Sequence, residues 1–212
     1  MRSPITNLEE VLAEVAALFE LSNERVILAI IGKPGAGKST ITDHIFKNIA
    51  AEDAVLVPMD GYHLSNRILA DLALADRKGA PETFDAQGFV SLMKRIKSDI
   101  HSDIYFPIFH RDLEESIAAE GVIKAGTKLI VVEGNYLLLQ SSPWSEIATL
   151  IDESWYLDLP EIIRQERLIS RHVAYGRSPE DAQSWALGSD ERNAVIIGET
   201  KKFASRIVAL KN

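Results

Sequence analysis

One octapeptide restricts what this chain can fold into more than any other stretch: Gly32-Lys33-Pro34-Gly35-Ala36-Gly37-Lys38-Ser39, followed by Thr40. It fits G-x-x-x-x-G-K-[ST], a phosphate-binding loop. Gly32, Gly35 and Gly37 let the backbone turn tightly and let an anion come close. Successive backbone N–H groups, with Pro34, Ala36 and Thr40 in the same loop, then form an anion nest. Lys38 supplies charge for the β- and γ-phosphates of a nucleotide, and the Ser39 hydroxyl can ligate Mg²⁺. The helix that begins there presents its positive dipole end to the same phosphates. The flanks fit. Residues 25–31 read RVILAII, a short β-branched run suited to a buried parallel strand. Ile41, Ile45, Phe46 and Ile49 mark a helical face after the loop. A dinucleotide fingerprint starting at Gly35 would need glycine at position 40, where Thr40 stands.

The rest of the chain sets wide bounds. Its 212 residues suffice for one α/β domain with a substantial core, and no repeat or low-complexity linker divides it. A net charge of −8 argues against a general nucleic-acid or anionic-membrane binder. There is no cysteine, so no disulfide, thiolate metal site or cysteine nucleophile is expected. The first residues, MRSPITN, lack the apolar core of a signal peptide, and the longest apolar run is far too short to span a bilayer. A cytoplasmic protein with no membrane insertion is expected.

Taken in order, residues 6–21 predict an amphipathic helix, with Thr6 and Glu9 at capping-box spacing. Residues 55–59, VLVPM, predict a strand that ends in Asp60-Gly61-Tyr62-His63. A carboxylate at the C-terminal end of such a strand faces the ligand crevice of an open α/β sheet. Asp60 is therefore a candidate base for an acceptor hydroxyl, and a turn-forming Asp is the competing reading. The loop over 76–85 carries Arg77, Lys78 and Phe84, which suit a polar acceptor. Asp85 is expected to cap the next helix, which contains Phe89, Leu92, Met93 and Ile96. Residues 104–108 predict an edge strand, since Pro107 removes a ladder donor; His110 and Arg111 follow as candidate acceptor contacts. Residues 120–127 read as a turn-rich connection. The strand LIVV at 129–132 ends in Glu133, a candidate Mg²⁺ ligand beside Ser39. A further strand over 155–159 leads to a helix with Arg164, Arg167 and Arg171 on one face, then Gly176 and Arg177. That segment, 161–178, reads as an arginine lid over the phosphates. A short helix over 179–187, helical residues over 193–203 and a final strand over 206–210 complete the chain.

The loop at 32–39, DGYHLSN at 60–66, RKGAPETFD at 77–85, VVEGNYLLL at 131–139 and RLISRHVAYGRSPEDA at 167–182 together resemble the uridine kinase, phosphoribulokinase and bacterial pantothenate kinase superfamily. Within it, the chain most resembles bacterial proteins provisionally named fructose transport system kinases. The resemblance spans nearly everything after the first helix. It implies a P-loop NTPase three-layer αβα sandwich, with a five-stranded parallel core sheet, a helical lid and ATP at the C-terminal edge of the sheet. It also implies phosphoryl transfer to an alcohol, with Lys38 on phosphate, Ser39 and Glu133 at Mg²⁺, Asp60 as base, and Arg171 and Arg177 in the lid. Two departures stand out: Phe109 directly precedes His110-Arg111, where uridine kinases have a Tyr-Asp pair, and Tyr62 replaces a common Phe.

The expectation is thus an ATP- and Mg²⁺-dependent kinase of a sugar, polyol or related metabolite. Its partner is a small-molecule acceptor, and a homodimer is compatible with the sequence. Asp60, His63, Arg77, Lys78, Phe84, His110, Arg111, Asn135 and Tyr136 are the acceptor-side candidates. The rivals are a nucleoside or nucleoside-monophosphate kinase, and an ATP-dependent regulatory module without catalysis.

Overall fold

A computed structural model describes residues 2–21 and 24–210. The elements follow in order: α1 (Leu8–Leu21), β1 (Val26–Gly32), α2 (Lys38–Phe46), β2 (Ala54–Pro58), α3 (Asn66–Asp71), α4 (Ala86–Ser98), β3 (Ile104–His110) and β4 (Glu115–Ile123). After them come β5 (Leu129–Gly134), β6 (Glu153–Leu157), α5 (Glu161–Ala174), α6 (Pro179–Leu187), α7 (Ser189–Gly198) and β7 (Arg206–Val208). Five strands form a parallel sheet in the order β2-β5-β1-β6-β7. The apolar run of the first strand is explained by burial on both faces. Leu28 and Ile30 point to one side, against Val11 and Val15 of α1 and Ile41 and Ile45 of α2. Ile27, Ala29 and Ile31 point to the other, against Phe89, Met93 and Ile96 of α4 and Trp144 in a 3₁₀ turn. This is the expected αβα sandwich.

The cap of α1 differs from expectation. The Oδ1 of Asn7 accepts from the Glu10 amide at 2.9 Å, and Glu10 reaches back to the Thr6 amide at 2.6 Å. The capping pair is Asn7 and Glu10, one residue later than the Thr6–Glu9 pair. Asp85 does cap α4, accepting from Gly88 N at 2.8 Å.

The larger correction concerns 120–127. Its first half, 120–123, belongs to a strand, β4, which pairs antiparallel with β3 in a hairpin separate from the main sheet, and only 124–127 form the turn. Pairing slips at Pro107: Phe106 faces Gly121, but Ile108 faces Ile117. Pro107 has no N–H to offer, so a bulge there costs no ladder donor. Gly121 is required because the Phe106 ring lies where its side chain would be, 2.3 Å from a Cβ built there.

The hairpin crosses the chain just after β2. A Cβ on Gly61 would stand 2.1 Å from the Pro107 carbonyl oxygen, a backbone atom that cannot move aside. The glycine after Asp60 is thus a packing requirement. Gly61→Ala is expected to destabilise the protein by roughly 2–4 kcal/mol, read by chemical denaturation. An unchanged midpoint would show that the hairpin can lift away without cost.

Candidate active site

The phosphate loop joins the end of β1 to α2. Gly35 and Gly37 have φ of 82° and 90°, a region costly for other residues. Gly37 caps α2 in this conformation. A Cβ on Gly35 would also meet the Arg164 carbonyl oxygen at 2.5 Å, so α5 lies directly on the loop. Gly32, Ala36 and Thr40 contribute through the backbone: Ala36 N donates to Lys33 O, and Thr40 N to Gly37 O.

Lys38 lies inside this frame. Its ammonium donates to the Gly32 carbonyl at 3.0 Å and to Asn135 Oδ1 at 2.7 Å. Burial pushes its pKa below the ordinary lysine value, and Glu133 opposes that shift. Glu133 stands level with Ile30 on β1 and Pro58 on β2, one residue before the end of the strand between them. Burial pushes its carboxyl up, against the pull of Lys38. Asp60 lies two residues beyond Pro58, on the neighbouring strand's end, and its carboxylate accepts from Arg111 at 3.2 Å. The ring of His63 bonds the Asp60 carbonyl through Nδ1 at 2.8 Å, and burial lowers its pKa. Because the carbonyl only accepts, Nδ1 carries the proton.

All these groups border one cavity of about 850 Å³, which Pro34, Lys38, Ser39, Asp60, Glu133, Asn135 and Arg171 share. Its outer wall is aromatic: the His63 ring lies 4.0 Å from Phe84 and 4.7 Å from Phe109, centroid to centroid, and all three border the cavity. Ser39 and Glu133 face the same space, and Glu133 has no hydrogen bond or ion pair within 4 Å to any described residue. Two hard oxygen donors, one an unpaired and desolvated carboxylate, fit Mg²⁺. Among the described residues no cluster of three His, Cys, Asp or Glu could hold a metal alone. Phosphate oxygens would have to complete the shell, as is usual for Mg²⁺.

Several expected residues are placed otherwise. Tyr136 is fully buried, packs on Phe84 and Trp144, and donates to the Gly79 carbonyl at 2.6 Å. It holds the 76–85 loop and does not face the cavity. Arg77 pairs with Glu82 at 2.7 Å and His110 with Glu120 at 2.6 Å, both outside the cavity lining. Lys78 borders the cavity, yet its ammonium already donates to Asn66 Oδ1, Glu114 O and Glu114 Oε2 at 2.7–3.0 Å. Two of those contacts are hydrogen bonds and the third, to the Glu114 carboxylate, is an ion pair, so Lys78 staples the loop to the hairpin. Arg164 is 1% exposed and bonds Glu161, Glu191 and the Pro34 carbonyl. It clamps α5 and α7 to the phosphate loop and is not free to act as the lid arginine the spacing suggested.

Arg171 does enter the cavity; burial lowers its pKa and Arg111 lowers it further. Arg167 comes within 3.6 Å of a Cβ built on Gly37, so its guanidinium lies over the loop. Helix α5 ends in a Schellman motif: Gly176 has φ 94°, and Arg177 N donates to His172 O at 3.1 Å. This turns Arg177 into the cavity rim, stacked 4.2 Å over Trp185. Tyr175 and a His172–Asp190 pair at 2.7 Å complete that wall. The sequence offered no sign of the pair, because its members lie 18 residues apart on different helices.

A phosphate loop on a five-stranded parallel sheet, acids ending two adjacent strands beside it and arginines of a helix laid across it define a P-loop kinase. The model of the phosphoribulokinase/uridine kinase family matches residues 27–187, and the chain belongs to that family. It is 31% identical over 213 residues to the uncharacterised protein YggC of Escherichia coli K12, covering 97% of this chain and 87% of YggC. A Schizosaccharomyces pombe protein provisionally named a uridine kinase is 29% identical, over 82% of this chain and 76% of its own. A crystal structure from Silicibacter sp. TM1040, provisionally named a fructose transport system kinase, superposes with a TM-score of 0.81. It is 31% identical, over 97% of this chain and 98% of its own.

Proposed function

We propose that this protein transfers the γ-phosphoryl group of ATP to a hydroxyl of a small neutral polyhydroxyl metabolite, a sugar or polyol. One observation carries the reading: Asp60, Lys38 and Glu133 border one cavity whose outer wall is aromatic and polar. The acceptor oxygen attacks the γ-phosphorus, the bond from that phosphorus to the bridging β-oxygen breaks, and ADP leaves. The hydroxyl proton passes to Asp60. Lys38, Arg171 and Arg177 neutralise charge on the transferring group. Ser39 and Glu133 hold Mg²⁺, which supplies further charge neutralisation when bound.

Phosphorylated acceptors are disfavoured by the acceptor-side cations. Arg67 pairs with Asp71, Arg77 with Glu82, and Lys78 with Glu114. Arg111 alone of these retains donors toward the cavity. A nucleoside is the second reading, favoured by the ring wall of His63, Phe84 and Phe109. The test is ADP release from MgATP against sugars, polyols, nucleosides and nucleoside monophosphates, with Lys38→Ala as the blank. Fructose is the first sugar to try, given the name of the Silicibacter neighbour. Stimulation by one neutral acceptor supports the proposal; stimulation by monophosphates alone overturns it. ATP binding without turnover on any acceptor would support a regulatory module.

Glu133 gives an independent check. Its raised pKa means that the fold favours the uncharged carboxyl, so stability is lost as pH rises through that pKa. Glu133→Gln is therefore expected to raise the melting temperature of the nucleotide-free protein while abolishing the Mg²⁺-dependent gain in ATP affinity. A lower melting temperature with Mg²⁺ dependence intact would remove Glu133 from the metal site.

A further inference from the structure

Asn135 follows the glycine that ends β5, and its side chain reaches the ammonium of Lys38 at 2.7 Å. A lysine ammonium has donors and no acceptor, so the amide atom facing it must be Oδ1. That fixes the amide: Nδ2, with two N–H groups, points away from Lys38. Nδ2 has no hydrogen-bond partner among the described residues, although Asn135 borders the cavity. The amide is also not sealed off, since the buried polar side-chain atoms without partners are Arg25 Nη2, His44 Nε2 and Ser116 Oγ.

Two facts then combine. Lys38 is held by Gly32 and Asn135 and borders the same cavity as Ser39, Asn135 and Arg171. The free N–H groups of Asn135 lie on the amide whose Oδ1 is 2.7 Å from that ammonium. An oxygen bound by Lys38 is thus within reach of Nδ2 as well.

We propose that Asn135 is a phosphate-contacting residue of this site: its Oδ1 positions Lys38, and its Nδ2 donates to a γ-phosphoryl oxygen. This rests on the ATP-dependent kinase reading above and assigns Asn135 to the phosphoryl group and not to the acceptor. The amide carries no charge, so it can stay beside both Lys38 and Glu133 without repelling either. As charge shifts during transfer, a fixed neutral donor needs no reorganisation to follow it.

The experiment compares affinities for MgATP and MgADP by calorimetry in the wild type, Asn135→Leu and Asn135→Asp, with thermal melts to confirm folding. Leucine removes both functions of the amide. Aspartate keeps an oxygen for Lys38 and removes the donor. The expected result is on the order of ten-fold or greater loss for MgATP in both variants. For MgADP, which keeps the β-phosphate that Lys38 reaches but lacks the γ-phosphate, the loss in Asn135→Leu should be several-fold smaller than for MgATP. Equal losses for ATP and ADP in Asn135→Leu would reduce Asn135 to a support for Lys38 and overturn the phosphate contact. Wild-type ATP affinity in Asn135→Asp would overturn the donor. If the wild type binds neither nucleotide, the kinase reading falls, and the proposal with it. A wild type that binds ATP with unchanged variants sinks the Asn135 proposal alone.

Discussion

Lys38→Ala is expected to lower phosphoryl transfer by on the order of 10³-fold or more and to weaken ATP binding, read by ADP release and calorimetry. The size of the effect follows from what surrounds the ammonium. Lys38 is buried, and Glu133 is the charge that most favours its ionised form, with Asp60 behind it. Remove the lysine and those carboxylates remain at the mouth of a cavity meant for a polyanion. The variant loses an attraction to phosphate and also exposes a repulsion, so two unfavourable terms act together. The empty protein should tolerate the change better than the complex does, since burial already disfavours the charged lysine. Turnover within ten-fold of wild type would mean that the loop binds phosphate by its backbone alone.

Asp60→Asn separates chemistry from binding. Turnover should fall by about 10²–10⁴-fold, the range of a lost general base, while ATP affinity stays within about two-fold. The competing view of Asp60 as a turn residue makes the opposite prediction. The turn rests on the Asp60 carbonyl, which accepts from His63 N at 3.1 Å and from the His63 ring at 2.8 Å. That backbone atom survives the substitution. Asparagine also keeps an oxygen for Arg111, which now approaches at 3.2 Å. A folded Asp60→Asn protein with wild-type turnover would therefore exclude Asp60 from proton transfer without ambiguity about the turn.

The nucleotide half was legible because its signals are local. A β-branched run, a glycine pattern and acids at strand ends each read from fewer than ten residues, and each fell at its expected place on the sheet. The acceptor half was harder, because its structure comes from contacts distant in sequence. Residues 115–123 carry two alanines, a glycine and two glutamates, a composition depleted in strands, and 120–127 read as a turn-rich connection. Residues 115–123 form a strand because β3 supplies a partner and the Phe106 ring fills the space over Gly121. Arg164 looked like its lid neighbours at helical spacing. It is buried instead because α7 brings Glu191 to it and the phosphate loop brings Pro34. Arg77, Lys78, His110 and Tyr136 were read by residue type. Each found a partner within the protein, which residue type alone does not reveal.

The sheet order has a consequence for how such an enzyme could change. β2 and β5 are neighbours in space, yet residues 59–128 lie between them in the chain. The interval includes Asp60, the aromatic wall and the hairpin, and its two ends leave from paired strands. It behaves as a cassette plugged into a fixed nucleotide engine. The interval also carries α4, whose Phe89, Met93 and Ile96 cover one face of the sheet, so a replacement would have to bring a helix with an equivalent apolar face while the phosphate loop, Glu133 and the arginine helix stay in place. The two junctions, at Pro58 and Leu129, are held in register by the parallel pairing of β2 with β5, so lineages could exchange acceptor preference by recombination at two points.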